Sequence, residues 1–313
     1  MSRRKKGQPL NGWLVLDKPQ GLTSTQAMSR ARHLLDARKA GHAGTLDPLA
    51  TGVLPIAFGE ATKTVDHVMG GTKVYAFTVR WGEARDTDDA EGRTTATSEV
   101  RPDDRAIEAA LPAFVGEVVQ VPPRFSAIRI DGDRAYDLAR EGVEVKMAPR
   151  TVSIEALGLV GRPDADHAML EVTCGKGTYV RSLARDLAVA LGTVGHVSAL
   201  RRLRVGRFTA DMAISLDDLA MEAQTPAVAR HLLGLETALD DIPALATTPA
   251  EAQRLRHGQA ISLMRRQDAD RLRGLGVDPS SPGPHLLVTC EGQPVALARV
   301  EGGEIRPVRV LNL

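Results

Sequence analysis

Hydrophobic and polar residues alternate along this chain with two different periods, which together predict a mixed α/β protein. A period of two, typical of strands, is clearest over 74–81, where one face collects Tyr75, Phe77, Val79 and Trp81. A helical period of apolar residues runs from Thr25 to Lys39, after Thr23 and Gln26, which fit a capping box. We therefore expect a sheet with helices packed beside it.

The same two patterns predict the other elements. Further strands are expected at 12–19, 53–58, 118–130, 151–160 and 168–174, further helices at 60–69, 103–114, 178–191, 215–223 and 226–240, and a hairpin at 194–209. After residue 241 the pattern changes to one helix at 249–257 and short strands at 285–290, 294–300 and 305–310. This change predicts a second, small and β-rich domain.

Domain boundaries follow from these changes of pattern. Residues 1–9 are basic and are expected to form a flexible tail, 10–241 the large domain, and 242–313 the small one. Within the large domain, residues 124–150 are expected to project as an excursion. Within the small domain, residues 266–284 are rich in Pro, Gly and Ser, so we expect a flexible insertion there.

Composition narrows the class of protein. The chain has 313 residues, of which 43% are hydrophobic and 25% charged, as is ordinary for a soluble globular protein. It contains no apolar run of about 18 residues and no secretory signal, so we expect a cytoplasmic protein without a membrane span. Cys174 and Cys290 are too few for a disulfide framework or a structural zinc site. With a net charge of +1, any surface for nucleic acid has to be local.

The first candidate for chemistry is the loop 41–52, which holds His42 and Asp47 among three glycines. Glycines permit backbone angles that other residues avoid, and loops between regular elements often carry reactive groups. The neighbours of Asp47 are apolar, so its carboxylate is expected to be partly screened from water. Taken alone, however, the spacing favours an aspartate that stabilises a turn before proline.

Three further signals each have a structural alternative. Tyr75 begins the apolar face of a predicted strand, and on its own it is better explained as part of that face. Tyr179 and Arg181 lie at the start of a predicted helix, where a solvated helix face is the alternative. The predicted hairpin is either a strand that faces phosphates or a generic basic surface, since it carries Arg201, Arg202, Arg204 and Arg207.

Metal and nucleotide sites are not indicated. Residues 86–92 are acidic, but Ala90 stands where a calcium loop needs its third ligand, so a solvated loop is the better interpretation. The eight histidines do not cluster with cysteines at ligand spacing. The glycines at 41–44 lack the lysine of a phosphate-binding loop. If the protein is an enzyme, we expect it to work with side chains alone, without metal or cofactor.

Six segments together identify a known family. They are Leu16–Gly21, Gly41–Gly52, Lys73–Tyr75, Val121–Ala127, Gly177–Arg181 and Leu200–Leu203. In sequence and in order they closely resemble the bacterial tRNA pseudouridine-55 synthases, the TruB family, from about residue 12 to 220. Residues 242–313 resemble, more weakly, the PUA-type RNA-binding domain of the same family.

The resemblance implies a fold, a reaction and a partner. The fold is a catalytic domain at 10–241 with a central, mainly antiparallel sheet and flanking helices, in which 124–150 form a lid that contacts RNA. The reaction is the isomerisation of the uridine at position 55 in the T loop of tRNA to pseudouridine, without a cofactor. The glycosidic bond breaks, the base rotates, and it rejoins the sugar through C5. The implied partner is the tRNA T stem-loop, with no metal and no membrane, and we expect a monomer.

The resemblance also implies the catalytic groups. Asp47 is the nucleophile, and attack at C1′, attack at C6 and proton abstraction at C2′ all stay open. Arg181 is expected to keep Asp47 ionised, because an opposite charge within reach lowers the pKa of an aspartate by about 1–3 units. Tyr75 is expected to stack on the uracil and then to remove the C5 proton.

The same family pattern implies residues that bind the substrate. His42 is expected to fill the space left by the flipped base, and Tyr179 and Leu200 to enclose the base and ribose. The expected contacts to the RNA backbone are Arg201, Arg202 and Arg204.

One position departs from the family pattern, and two other functions stay open. Phe125 stands where the family commonly has tyrosine, so a hydroxyl is lost while a ring is kept. One rival is a guide-RNA-dependent synthase within a larger particle, against which the excursion at 124–150 argues. The other is a non-catalytic tRNA-binding or folding protein, against which the presence of Asp47, Tyr75 and Arg181 argues.

Overall fold

The computed structural model describes residues 7–126, 129–130, 133–134, 147–263, 266–278 and 285–313, with the backbone alone at 129–130, 133–134 and 266–268. Its α-helices are α1 (Ser24–Leu34), α2 (Val65–Gly70), α3 (Asp104–Ala110), α4 (Val180–Ala190), α5 (Leu216–Glu222), α6 (Pro249–Arg256) and α7 (Arg266–Arg273). Short 3-10 helices lie at Gly59–Thr64, Leu111–Phe114, Ala210–Met212, Pro226–His231 and Leu235–Ala238.

The strands fall into two parts of the chain. The first part holds β1 (Gly12–Lys18), β2 (Ala40–His42), β3 (Thr51–Phe58), β4 (Lys73–Trp81), β5 (Glu83–Arg85), β6 (Thr94–Thr97), β7 (Gly116–Gln120), β8 (Arg129–Ile130), β9 (Asp133–Arg134), β10 (Arg150–Asp164), β11 (His167–Cys174), β12 (Gly195–Val205) and β13 (Phe208–Thr209). The second holds β14 (Ala244–Ala246), β15 (Ile261–Ser262), β16 (His285–Cys290), β17 (Gln293–Glu301) and β18 (Glu304–Val310).

The larger sheet is mainly antiparallel. Among the described residues it has nine strands, seven of them in the order β1-β3-β12-β4-β11-β10-β7, with β2 beside β3 and β13 beside β12. Only the contact between β3 and β12 is parallel within this sheet as described. The expectation of a mixed α/β fold with a mainly antiparallel sheet is therefore confirmed.

Strand β1 is buried on both of its faces. Leu14 and Leu16 pack into a core that also contains residues of α1 and α4, whereas Trp13 and Val15 pack into a second core on the other face. Neither face of this strand is exposed to solvent, which explains why its apolar residues are consecutive instead of alternating with polar ones. Successive residues of β3 also pack alternately into these two cores, so β1 and β3 together separate them.

The second part of the chain packs against the second core. Its five strands, within the described residues, are ordered β14-β16-β17-β18-β15 and enclose a small core of their own. Leu287, Leu297 and Leu311 instead join the core around Trp13. The expected small β-rich C-terminal unit is confirmed, and apolar side chains connect it to the larger sheet.

Several local predictions are confirmed closely. Thr23 and Gln26 form the complete capping box of α1, in which Thr23 Oγ1 accepts from the Gln26 amide and Gln26 Oε1 accepts from the Thr23 amide. The face of β4 predicted to be apolar has Phe77, Val79 and Trp81 fully buried. These features depend on residues close together in the chain, so their sequence pattern is sufficient.

Other predicted elements end earlier than expected. Helix α1 stops at Leu34, because Asp36 takes a left-handed φ of 44° and residues 40–42 pair with β3 instead. The strand predicted over 118–130 ends at Gln120, before a proline pair that cannot donate ladder hydrogen bonds. The helix predicted over 226–240 is two 3-10 helices, separated by an extended Gly234.

One further expectation is wrong, and two others stay predictions. The hairpin predicted at 194–209 is mostly the single long strand β12, and only its last two residues, which form β13, turn back to pair with the end of β12. The insertion predicted to be flexible at 266–284 begins with α7, and Leu272 and Val277 are buried, while 279–284 lie outside the described residues. Of the tail predicted at 1–9, the Gln8 amide donates to the Asp36 carbonyl at 2.6 Å, and 1–6 lie outside the described residues.

Candidate active site

A cavity of about 290 Å³ opens beside Asp47, between the loop before β3 and the start of α4. Six of the residues predicted from the sequence line it together, namely Asp47, Tyr75, Tyr179, Arg181, Leu200 and Arg202. The chain supplies them from a loop, from two adjacent strands (β4 and β12) and from the N-terminal end of a helix. Folding is therefore what brings these dispersed residues into one site.

Two buried side chains hold the backbone next to Asp47. The Ser24 hydroxyl accepts a hydrogen bond from the Leu46 amide at 2.7 Å, and it lies 3.1 Å from the Leu46 carbonyl, to which it donates. The Lys18 ammonium donates to the Leu22 carbonyl at 2.6 Å and to the Pro48 carbonyl at 3.4 Å. These contacts attach both flanks of Asp47 to α1 and β1, so the loop is fixed in place.

Arg202 binds the backbone of the same loop, and its position differs from the predicted contact with RNA. It is 1% exposed, and its Nε donates to the Val53 carbonyl at 2.8 Å while its Nη2 donates to the Gly44 carbonyl at 3.1 Å. We expected Arg202 to face RNA phosphates, but it is buried at the inner wall of the cavity, where its guanidinium contacts backbone carbonyls and the Tyr75 hydroxyl. Hydrogen bonds from a charged group to buried carbonyls stabilise the loop conformation.

The glycines of the loop make room for Arg202. Gly44 has φ 95° and Gly52 has φ 96°, which are left-handed angles that side chains disfavour. A Cβ atom on Gly52 would lie 2.2 Å from the Arg202 carbonyl oxygen, and one on Gly44 would lie 3.2 Å from Arg202 Nη1. The glycine pattern of the sequence therefore reflects close packing against β12.

Asp47 and Arg181 form an ion pair at the cavity. Arg181 Nε lies 2.9 Å from Asp47 Oδ2, and 36% of the Asp47 side chain remains exposed. Burial raises the pKa of the Asp47 carboxyl above its ordinary value, while the Arg181 guanidinium lowers it. Arg181 therefore favours the ionised form of Asp47, as expected. The pKa of Asp47 is nevertheless raised, because the effect of burial is larger than that of Arg181.

The acidic segment 86–92, expected to be solvated, packs against this ion pair. Asp89 is 2% exposed, and its Oδ2 lies 3.3 Å from Arg181 Nη1. Its Oδ1 accepts hydrogen bonds from the Thr87 hydroxyl at 2.6 Å and from the Glu91 amide at 3.0 Å. Arg181 is thus held between two carboxylates, and Asp89 is a site residue that the sequence pattern did not reveal.

The aromatic residues of the cavity are held by their surroundings. Burial raises the pKa of both the Tyr75 and the Tyr179 hydroxyl, so both are neutral at pH 7. The Tyr179 amide donates to Gln120 Oε1 at 3.2 Å, which fixes the backbone immediately before α4. Leu200 on β12 adds an apolar side chain to the same cavity.

His42 is not among the residues that line this cavity. It lies on β2, opposite Ile56 of β3. Burial and the nearby Arg202 lower the pKa of His42, so it is neutral at pH 7. Its Nδ1 is buried and has no hydrogen-bond partner within the described part of the chain. In this structure His42 therefore lies behind the cavity lining.

The three arginines predicted to contact RNA have different surroundings. Arg201 is 40% exposed and forms a bidentate ion pair with Asp17, at 2.9 Å and 2.8 Å. Arg204 is exposed and lines a separate cavity near His67 and Phe208. Because Arg202 is buried, only Arg204 and Arg201 present charge to the solvent.

Further residues of the cavity were missed although the recognised segments contain them. Lys73 is buried, lines the cavity and donates to the Met69 and Gly71 carbonyls, each at 2.5 Å. Ser126 is buried and lines the cavity as well. Both lie within segments that match the family, so membership in those segments was the available signal. Most of the predicted lid at 124–150, namely 127–128, 131–132 and 135–146, lies outside the described residues.

The described residues form neither a metal-binding cluster nor a membrane-spanning helix. No group of three or more His, Cys, Asp or Glu side chains in this part of the chain is arranged to hold a metal ion. No described helix combines the length and apolar character needed to cross a membrane.

Comparisons with known proteins identify the family of this chain. Residues 32–180 match the family model for the TruB family pseudouridylate synthase (N terminal domain), and 181–240 match that for the tRNA pseudouridylate synthase B C-terminal domain. The tRNA pseudouridine synthase B of Gluconacetobacter diazotrophicus is 55% identical over 311 residues, which are 99% of this chain and 100% of that protein. That of Caulobacter vibrioides is 54% identical over 314 residues, covering 100% of both.

Solved structures share the fold at lower identity. A chain of a Cbf5-Nop10-Gar1 complex has a TM-score of 0.71 and 23% identity, covering 100% of this chain and 91% of that chain. A chain of an H/ACA RNP bound to a substrate RNA containing 2′-deoxyuridine has a TM-score of 0.70 and 21% identity, covering 100% and 92%. These structures support the fold alone. Since relatives more than half identical match along the whole length, this chain belongs to the TruB family of pseudouridylate synthases.

Proposed function

We propose that this chain isomerises a uridine of tRNA to pseudouridine, and that the uridine is position 55 in the T loop. The observation that carries the proposal is the cavity shared by Asp47, Tyr75, Tyr179 and Arg181. It occurs in a chain more than half identical to relatives named tRNA pseudouridine synthase B. The rival functions, a guide-RNA-dependent synthase and a tRNA-binding folding protein, have less support.

In the proposed reaction the target uridine leaves its stack and enters the cavity. Unstacking a base costs a few kcal/mol, and stacking on an aromatic ring returns about 1–3 kcal/mol per base. Tyr75 is the proposed stacking ring, and Tyr179 and Leu200 enclose the base and ribose. A cavity of about 290 Å³ suits one base better than a length of RNA. His42 is proposed to support the site from behind the cavity lining.

Asp47 is the proposed nucleophile. The base leaves as an anion while the sugar becomes electron-poor, so an ionised carboxylate is required whether it attacks C1′, attacks C6 or removes a proton from C2′. The ion pair with Arg181 supports this role, because it favours the ionised form against the effect of burial.

Tyr75 is the proposed group that removes the proton from C5 after the base has rejoined the sugar. Burial raises the pKa of its hydroxyl, so little phenolate is present at neutral pH. This step is therefore expected to become faster as the pH rises, since a base acts in its deprotonated form.

The remaining parts of the chain are proposed to bind RNA. Residues 10–241 form the catalytic domain, with 124–150 as a lid over the T loop, and 242–313 form a PUA-like RNA-binding domain. The exposed side chains of Arg201 and Arg204 are the proposed contacts to phosphates. The enzyme is proposed to act as a cytoplasmic monomer.

The decisive experiment measures tritium release from a tRNA transcript that contains 5-³H-uridine. We expect the wild type to release tritium and the modified position to map to uridine 55. Asp47→Asn should abolish release and leave tRNA affinity nearly unchanged. The matched control is Asp217→Asn, an exposed carboxylate on α5, which should behave like the wild type. Near-normal turnover of Asp47→Asn would contradict the nucleophile assignment, and no release by the wild type would contradict the function.

A further inference from the structure

The Ser126 hydroxyl is buried at the cavity and makes no hydrogen bond of normal geometry with another described residue. The residue is 4% exposed and lines the same cavity as Asp47. Its Oγ is fully buried and lacks a partner of normal geometry within the described residues. Buried polar side chains are almost always paired, so an unpaired one at the edge of a binding cavity indicates a partner that arrives with the ligand.

The backbone that carries Ser126 is firmly attached to α4. The carbonyl of Phe125, the preceding residue, accepts a hydrogen bond from Arg181 Nη2 at 2.8 Å. The Val121 carbonyl accepts from the Ser182 hydroxyl at 2.8 Å and from Arg185 Nη2 at 2.8 Å. The position of Ser126 is thus set by the same arginine that pairs with Asp47, so its hydroxyl is held in place before any substrate binds.

A second hydroxyl belongs to the same side of the cavity. Burial raises the pKa of the Tyr179 hydroxyl, and a weak interaction with the Ser126 hydroxyl lowers it, so the two side chains are neighbours. Their contact is outside normal hydrogen-bond geometry, because Ser126 Oγ has no hydrogen-bond partner among the described residues. Apolar residues line much of the remaining cavity, among them Leu46, Met69 and Leu200. Charged side chains, among them Asp47 and Lys73, line the cavity as well. A cavity that combines apolar side chains with polar groups is complementary to a flat ring with a polar edge.

We propose that the Ser126 hydroxyl, beside that of Tyr179, hydrogen-bonds to the polar edge of the flipped uracil. Uracil has two carbonyl acceptors and one N–H donor at its edge, and a hydroxyl can serve either kind of group. The inference rests on the proposed function, because it concerns the base that enters this cavity. Ser126 is therefore a substrate-binding residue that orients the base beside Asp47.

A purely structural role for Ser126 makes a different prediction about folding. Removing the Ser126 hydroxyl takes no hydrogen bond of normal geometry from the described residues of the free protein, so Ser126→Ala should keep or slightly raise the melting temperature. Ser182 is the matched control, because it is also buried but donates to the Val121 carbonyl. Ser182→Ala should therefore lower the melting temperature. A clear decrease in Ser126→Ala would overturn the proposal by showing that its hydroxyl already has a structural partner.

The binding test uses two RNAs in the Asp47→Asn background, where turnover cannot interfere. One is a T stem-loop with uridine at the target position, and the other has an abasic ribose there. Adding Ser126→Ala should weaken binding of the uridine RNA by about two- to tenfold, the effect of one hydrogen bond. Binding of the abasic RNA should not change. The proposal would be overturned if Ser126→Ala weakened the binding of both RNAs equally. It would also be overturned if the binding of neither RNA changed, which is expected if this hydroxyl contacts only water.

A turnover measurement separates this proposal from the function on which it rests. With Asp47 intact, Ser126→Ala should reduce kcat/KM for tritium release by a similar factor. Release by the wild type together with an unchanged kcat/KM in Ser126→Ala would contradict the role of Ser126 alone. No release by the wild type would instead contradict the proposed function.

Discussion

Arg181 Nε lies 2.9 Å from Asp47 Oδ2, and the rest of the guanidinium is bonded in other directions. Nη1 donates to the Thr87 carbonyl at 2.9 Å and lies 3.3 Å from Asp89 Oδ2, and Nη2 donates to the Phe125 carbonyl at 2.8 Å. Because a guanidinium is planar, these contacts fix its orientation as well as its position. Arg181 therefore determines where the Asp47 carboxylate lies.

Replacing Arg181 by lysine tests whether that geometry matters beyond the charge. An ammonium keeps the positive charge but cannot reach all four acceptors, so we expect turnover to fall by about 10²-fold or more. Affinity for tRNA should change little. Arg185→Lys is the control, since Arg185 does not line the cavity and contacts Asp88, Asp186 and the Val121 carbonyl instead. If Arg181→Lys turns over like Arg185→Lys, charge alone is sufficient.

Asp89 provides a test through the pH dependence of the reaction. Its negative charge contributes to the raised pKa of Asp47, after burial as the main cause. In Asp89→Asn that contribution is lost, so Asp47 should ionise at lower pH. The acidic limb of kcat against pH should then move to lower pH, whereas in Asp86→Asn, a change in the same loop, it should stay in place. A move to higher pH would mean that Asp89 acts mainly by holding Arg181.

Sequence patterns predicted the local elements and most of the residues that line the cavity. They did not predict the buried side chains that hold the backbone of the cavity in place. The faces of α1 and β4 follow from residues a few positions apart, so their periods were sufficient. Arg202 instead donates to Val53 and Gly44, which are 149 and 158 residues away in the chain. No local pattern distinguishes an arginine that binds buried carbonyls from one that faces phosphates, and for this reason Arg202 was misplaced.

Asp89 was missed for a related reason. Its segment is acidic and lacks apolar residues in a regular period, which is typical of a solvated loop. Its burial depends on Arg181, which the fold brings from α4 to the same place. The charge of a distant partner, and not the composition of the segment, decides whether such a loop is buried.

Lys18 should make stability depend on pH in the alkaline range. Burial lowers its pKa from 10.5 to about 8 in the folded protein. Between these two values the unfolded chain keeps a proton that the folded chain has lost, so the free energy of unfolding should rise with pH. The rise is limited to about 1.4 kcal/mol per pH unit for one group.

The Lys18→Met variant isolates this effect. Urea unfolding of both proteins between pH 7 and 11 cancels the contributions of the titrating groups that they share. We expect the wild type to gain stability relative to Lys18→Met from about pH 8 to 10.5 and to be parallel below that range. Parallel curves over the whole interval would show that the Lys18 ammonium keeps its ordinary pKa in the fold.

The arginines of β12 should separate RNA binding from stability. Arg204 is exposed, so Arg204→Gln should weaken tRNA binding and reduce the slope of log Kd against log salt by about one phosphate contact. Arg202→Met should leave that slope unchanged in the folded protein. It should lower the free energy of unfolding by about 3 kcal/mol or more, because the Val53 and Gly44 carbonyls lose a charged donor.

Arg201→Gln completes this comparison. The bidentate pair with Asp17 neutralises Arg201, and a phosphate would have to displace that carboxylate to bind the guanidinium. The salt slope should therefore change less than in Arg204→Gln, and Asp17→Asn should strengthen tRNA binding by releasing the arginine. An equal slope change in Arg201→Gln and Arg204→Gln would indicate that RNA binding opens the Asp17 pair.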